Sequence, residues 1–288
     1  MNIKKIAVVG LGVIGGSLAK AFRAAGIEVT GIDEDDEAIL KAKKDGVISP
    51  DSFNIKEEDP VHFEPLRRAD VVFFCIPVMS IVPTVKKLAP FFKEGAVITD
   101  TGSTKKFLVN SLKLKLPEGV EFIGGHPMAG CEKSGYEFSR KDLFLNAPYI
   151  LTPTLENSEK GLEILKSLIL KIGAVPHLMT AEEHDRMVAA VSHLPQVVAT
   201  SLAAAVAEFD MDGRCLKLSG RGFKDTTRIA SSSFSMWRDV FLTNKEDILK
   251  MIWLYQRKLK ELAKAIESED EGYMRKIFFK AAKYVREG

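Results

Sequence analysis

An apolar run, KKIAVVG, passes without a spacer into LGVIGGS, and this junction restricts the fold more than any other stretch of the chain. Gly10, Gly12 and Gly15 there take the spacing GxGxxG at the mouth of an amphipathic helical pattern, GGSLAKAFRAAG. Glycines so placed serve a tight turn, close approach of backbone to a phosphate, and close packing of helix on strand. The spacing alone also marks ordinary glycine turns, so the surroundings must decide. EVTGID, ADVVFFCI, GAVITDT, VEFIGG, APYILT and AVPHLM read as further strands, with helical patterns such as SEKGLEILKSLILKIG between several of them. Strand and helix in alternation predict a largely parallel, doubly wound sheet with helices on both faces. From about Thr180 the strand signals stop. TAEEHDRMVAAVSHLPQVVATSLAAAVAEF is one long helical pattern, and the segments from Phe234 onward are also helical. The expected division is an α/β domain over 1–179 and an all-α domain over 180–288.

A second strand, EVTGID, ends in Asp33, an acid about twenty residues beyond the glycines, where it meets ribose hydroxyls in a dinucleotide site. A solvated strand end would also carry such an acid. The stretch GIDEDDEA sets negative charge where a 2′-phosphate needs cations, which favours NAD over NADP. Gly10, Gly12, Ile14, Gly15 and Asp33 are therefore expected at the cofactor, with Pro77 and Val78 forming a wall near its nicotinamide half. An ordinary loop proline is the competing reading of Pro77.

The net charge of +2 gives no field suited to nucleic acid or a membrane surface, and the run VVFFCIPVM is too short to span a bilayer. The chain opens directly into a strand, so no signal peptide is expected. Three cysteines, Cys75, Cys131 and Cys215, show no pairing or metal spacing, which points to a reducing cytoplasm and no metal site. The helical half holds roughly 110 residues and is rich in apolar segments (IWLY, KIFFKAAKYV), a size that buries a limited share of its own surface. A homodimer built on that domain is expected.

Polar groups then appear where packing does not call for them. DTGSTK ends a strand with a hydroxyl cluster that includes Ser103, and GGHPMAG carries His126 at what reads as a strand's lip. VSHLPQ holds His193 beside Pro195, and SGRGFKDTTRIA holds Arg228. Strand ends of a doubly wound sheet open into the ligand crevice. Taken in order and spacing, GLGVIGGS, DTGSTK, GGHPMAG, SHLP, GFKDTTRIA and the following MWRD resemble the prephenate/arogenate dehydrogenase family over nearly the whole chain.

That resemblance implies a Rossmann-type domain joined to a helical dimerisation domain, and an oxidoreductase of tyrosine biosynthesis that decarboxylates a cyclohexadienyl substrate with a nicotinamide cofactor. It implies His126 and Ser103 at the substrate hydroxyl, Arg228 at a carboxylate, and His193 on the helical wall of the site. A neutral imidazole with a reference pKa of about 6.5 suits a proton acceptor near neutral pH. Ser103 is expected to orient that ring or to share the hydroxyl. Arg228 can grip a carboxylate at two points, with Asp225 or Glu132 as its acidic neighbour in the empty enzyme. Trp237 is expected against the substrate ring, although a core tryptophan fits as well. Where the family often shows SHLPH, this chain has Gln196.

Prephenate and arogenate differ only at the side chain, keto or amino, and both stay open at this point. Tyrosine, which resembles the product, is expected to compete for the substrate pocket. Neither a fused mutase domain nor a separate regulatory domain is expected. A β-hydroxyacid dehydrogenase would need a lysine on AEEHDRMVAAVSHLP, which has none, and a nucleotide-sensing regulator would need a DNA-binding motif or basic face.

Overall fold

Successive residues of the first strand belong to opposite cores: Ile6 and Val8 pack with Phe22 and Phe73, Ala7 and Val9 with Phe74 and Ile98. That alternation is the period-2 geometry of a strand buried on both faces. The computed structural model describes residues 3–57, 59–112, 116–131, 133–210 and 212–287. Its first half runs β1 (Lys5–Val9), α1 (Val13–Ala24), β2 (Glu28–Asp33), α2 (Asp36–Lys44), β3 (Phe53–Asn54), β4 (Val71–Phe74), α3 (Val78–Leu88), β5 (Val97–Asp100), α4 (Lys106–Leu112) and β6 (Glu121–Phe122). These six strands form one parallel sheet in the order β3-β2-β1-β4-β5-β6. The order reverses beside β1, which opens the crevice at its carboxyl end.

The segment VEFIGG, read above as a single strand, divides between two sheets. Ile123 still bonds to Ile98 of the large sheet (3.0 Å), but the chain then enters β7 (Gly124–Pro127). β7 pairs antiparallel with β8 (Pro148–Thr152); after α5 (Glu159–Lys171), β9 (Val175–Leu178) joins β8 in parallel. Glycine makes the crossing possible, because a Cβ on Gly125 would stand 2.5 Å from the Asp100 carbonyl oxygen. A further consequence concerns His126, expected at a strand's lip. It lies on β7 itself, opposite Ile150, so its backbone is held by a strand ladder.

The helical half begins at α6 (Ala181–Val188), whose Thr180 and Glu183 form a reciprocal capping box. Residues Ala189–His193 adopt a π turn and α7 (Leu194–Phe209) follows, with Pro195 in its first turn. A proline there needs no amide hydrogen bond, so the wide turn accommodates it without breaking the rod. From Ala181 to Phe209 the rod has 29 residues, and an 18-residue stretch within it has a mean hydropathy of 1.4, enough by length and composition to cross a bilayer. It passes that test where VVFFCIPVM does not. The chain continues through α8 (Arg214–Leu218), α9 (Arg221–Thr227), α10 (Phe234–Thr243), α11 (Lys245–Glu267) and α12 (Glu271–Glu287). Its buried cluster is small, centred on Ala189, Val240 and Ile248, while Phe209, Leu218, Trp253, Phe278 and Phe279 are exposed.

Two aspartates of the helical half tie it to the sheet domain. The Asp185 carboxylate accepts from the amides of Lys105 (2.8 Å) and Lys106 (3.0 Å) at the start of α4. Asp239 accepts from Met79 (3.3 Å) in the first turn of α3. Helix starts leave amides unpaired and carry partial positive charge, so a carboxylate at each satisfies both needs. Thr104 and Thr243 add a hydroxyl contact at 2.8 Å.

Candidate active site

The glycines at the sheet's carboxyl edge are shaped for a phosphate. Gly10 has φ +91°, and a Cβ on Gly15 would fall 1.8 Å from the Gly10 carbonyl oxygen, so neither position admits a side chain. Around Gly12 there is no protein atom within 4 Å of where a Cβ would be. The start of α1 has neither a side-chain cap nor an acid in its first turn. A helix N-terminus left open behind a glycine turn attracts a pyrophosphate. Asp33 closes the far side: its carboxylate accepts from the amides of Leu11 (2.5 Å) and Asp35 (2.9 Å). This keeps one carboxylate edge fixed beside the glycine turn.

From this turn a cleft of about 650 Å³ runs between the domains. Ile14, Pro77, Val78 and Ser103 line it from the first domain, and Gln196, Ile229 and Trp237 from the second. His126, His193 and Arg228 are not part of the lining. His193 is buried behind Trp237, ring centroids 5.9 Å apart, while its chain neighbours Ser192 and Pro195 reach the cleft. Arg228 is exposed and immediately precedes Ile229. Asp225 lies one helical turn before it and is exposed, and Glu132 lies outside the described residues.

His126 is half-buried, and its Nδ1 is 2.8 Å from Nε2 of His184. His184 in turn places Nδ1 2.7 Å from Oδ1 of Asp185, and both of these residues are fully buried. The hydrogen bond that orients His126 therefore comes from His184, not from Ser103. Nε2 of His126 makes no hydrogen bond within the chain and is not sealed from solvent. Burial, reinforced by His184, Lys105 and His193, holds the His126 ring well below the ordinary histidine range, so it is neutral at neutral pH. Behind the strand Lys105 pairs with Asp100 in the interior and donates to the Gly125 carbonyl at 2.7 Å. Burial pushes the Asp100 carboxyl up and the Lys105 ammonium down, against their mutual attraction.

A second imidazole is set just as firmly. The Asn244 amide nitrogen donates to the Asp185 carbonyl (2.8 Å) and lies 3.2 Å from Nδ1 of His193, which must accept. The His193 proton is then on Nε2, a buried donor without a partner. Trp237 Nε1 and Gln196 Oε1 are also buried and unpartnered. Gln196 and Trp237 both line the cleft, and unpartnered polar atoms on its walls suit the polar groups of a ligand. Burial lowers the His193 pKa to about 4.

His184, Asp185 and Asn244 escaped the sequence reading, which singled out His193 in AEEHDRMVAAVSHLP and the absence of lysine there but not the His184-Asp185 pair. The signal was available in the adjacent His-Asp pair, two ionisable groups side by side on one helix.

The doubly wound sheet, its open glycine turn and the interdomain cleft define a two-domain dinucleotide-dependent oxidoreductase. A family model described as the prephenate dehydrogenase nucleotide-binding domain matches residues 18–178, and one for the dimerization domain of the same enzymes matches residues 180–280. Prephenate dehydrogenase of Bacillus subtilis (strain 168) is 38% identical over 290 residues, covering 98% of this chain and 75% of that protein. The crystal structure of A. aeolicus prephenate dehydrogenase with hydroxyphenyl propionate and NAD+ superposes with a TM-score of 0.88 at 34% identity, covering 99% of each chain. Synechocystis arogenate dehydrogenase gives 0.83 at 30% identity, covering 98% of this chain and 99% of that one. The chain belongs to the prephenate dehydrogenase family.

Proposed function

We propose that this protein converts prephenate to 4-hydroxyphenylpyruvate with NAD+, by oxidation and decarboxylation, on the way to tyrosine. The observation that carries this reading is His126: a neutral ring with Nδ1 engaged and Nε2 open, on the strand that leads into the cleft wall. When bound, NAD+ supplies the acceptor for hydride from C4 of the substrate ring. His126 Nε2 accepts the proton of the C4 hydroxyl as the carbonyl develops, and Ser103 shares that hydroxyl. Arg228 holds a carboxylate, Trp237 packs against the ring, and His193 forms the helical wall behind it. Gly10, Gly12, Ile14, Gly15 and Asp33 hold the dinucleotide, with Pro77, Val78 and Ser103 toward its reactive end. The acids after Asp33 repel a 2′-phosphate.

The division between the nucleotide-binding and helical domains falls at 179/180. We assign the exposed apolar surface of the helical half, including the rod from Ala181 to Phe209, to a homodimer and not to a bilayer. Free thiols at Cys75, Cys131 and Cys215 favour the cytoplasm. Tyrosine competes with substrate; inhibition that lowered turnover and left the Michaelis constant unchanged would refute that point.

Arogenate is the second reading, and Gln196 is the observation that favours it. Its buried Oε1 is an acceptor that an ammonium group would satisfy. The test is to supply NAD+ with prephenate and with arogenate in parallel and to follow NADH absorbance. Greater kcat/KM on prephenate supports the first reading, greater kcat/KM on arogenate the second, and turnover of neither removes both.

A further inference from the structure

Asp185 accepts from two backbone amides, those of Lys105 and Lys106, and these can only donate. Its carboxylate is thereby held as an acceptor in the interior, so the third contact, from His184 Nδ1, must also bring a proton. A neutral His184 with its hydrogen on Nδ1 presents a bare lone pair at Nε2. That lone pair faces His126 Nδ1 at 2.8 Å, which must then be the protonated nitrogen of the His126 ring. The hydrogen of a neutral imidazole sits on one nitrogen only, and so Nε2 of His126 is left as the base. This series of contacts starts at Asp185 in one domain and ends at His126 in the other.

We propose that His184 and Asp185 are positioning residues that set the tautomer of His126, so that Nε2, the nitrogen without a partner in the chain, is always the proton acceptor. The assignment rests on the role proposed for His126. As the substrate O–H bond breaks and the N–H bond forms at His126 Nε2, the ring becomes an imidazolium. Its Nδ1–H points at His184, whose other nitrogen is bonded to the Asp185 carboxylate, and this stabilises the new charge. The remaining charged and titratable groups around the ring are Lys105, paired with Asp100, and His193. Neither lies in the relay. Because Asp185 also anchors α4, the relay is complete only while the two domains are docked.

The experiment is ¹⁵N NMR of histidine-labelled enzyme without substrate, joined to steady-state kinetics of His184→Phe and His184→Gln. Wild-type His126 is expected to show a protonated Nδ1 and a bare Nε2. His184→Phe removes the lone pair, and is expected to let His126 populate the other tautomer and to lower kcat by about 10²-fold, with KM and NAD+ affinity changed less than about threefold. His184→Gln can still accept from His126 and donate to Asp185, and is expected to keep kcat within about tenfold of wild type. A wild-type ring protonated at Nε2 overturns the proposal, as does a folded His184→Phe with unchanged kcat. Should His184→Phe fail to fold, His184→Gln and the wild-type spectrum still decide. The spectrum needs no substrate, so an enzyme inert toward prephenate and arogenate would remove the proposed function while the tautomer is read independently.

Discussion

His126 and His184 meet Nδ1 to Nε2 at 2.8 Å across the seam between the two domains, the first ring on a strand and the second on a helix. The geometry proposed for proton transfer is therefore a property of the docked pair of domains and not of either alone. Replacing the first ring tests its assigned role most directly. His126→Asn is expected to lower kcat by roughly 10²- to 10⁴-fold while NAD+ affinity stays near wild type. Steady-state kinetics with a cofactor titration checks both halves of that expectation.

Acid should act late on the reaction. The His126 ring is held well below the ordinary histidine range by burial, reinforced by His184, Lys105 and His193, so it stays unprotonated as pH drops through 6.5. The profile of kcat/KM, which reports the free enzyme, is expected to be flat from neutral pH to below that value before it declines. An acid limb centred at or above 6.5 would contradict the burial assigned to this ring.

Stability should respond to pH through His193. Unfolded, its ring takes a proton near 6.5; folded, burial delays protonation to about 4. Between those values the unfolded chain binds more protons, so stability present above pH 6.5 is lost as pH falls through 4, up to about 3 kcal/mol. The melting temperature of His193→Phe is expected to fall less steeply than that of wild type over this window. Parallel slopes would show that the ring titrates normally.

The glycine turn gives a steric prediction. Gly15→Ala places a methyl group 1.8 Å from the Gly10 carbonyl oxygen, and backbone cannot step aside as a side chain would. The start of α1 must shift, at a cost of about 1–3 kcal/mol. NAD+ binding is expected to weaken by at least about tenfold, as the amides lose their aim at the pyrophosphate. Calorimetric titration and a melting curve separate the two effects.

Cofactor choice is expected to turn on Asp33. Asp33→Ser removes the carboxylate that the Leu11 and Asp35 amides hold in place, and with it the repulsion of a 2′-phosphate. The ratio of kcat/KM for NAD+ over NADP+ is expected to fall by about tenfold or more, mainly through weaker NAD+ use. An unchanged ratio would move the discrimination to the neighbouring acids.

Arg228 is exposed, so its effect on substrate should be moderate. Arg228→Ala is expected to raise KM by roughly ten- to a hundredfold, the range of a charge-assisted hydrogen bond of about 1.5–3 kcal/mol, with kcat little altered. A normal KM in this variant would direct attention to another cation.

The parallel sheet was legible because β1 and β4 carry continuous apolar runs, IAVV and VVFF, as strands covered on both faces do, and helical patterns alternate with the strands. β3 was not, since a two-residue strand leaves no period to detect, and β6 was legible only as part of VEFIGG. The split of VEFIGG into two sheets depends on Gly125 passing close to the Asp100 carbonyl, a contact between residues far apart in sequence. The same reason hid His184. Its neighbour Asp185 is visible beside it, but that the pair meets His126 depends on how α6 docks against β7, and periodicity does not encode docking.

The two aspartates that reach across the seam have a bearing on protein engineering. Any chimaera that joins this nucleotide half to a relative's helical half inherits α3 and α4 with their leading amides awaiting acceptors from the donor sequence. A donor with neutral residues at 185 and 239 would leave those amides to solvent and the halves free to swing. Swapping modules within such enzymes thus requires matching two acidic positions before any residue that touches substrate is considered.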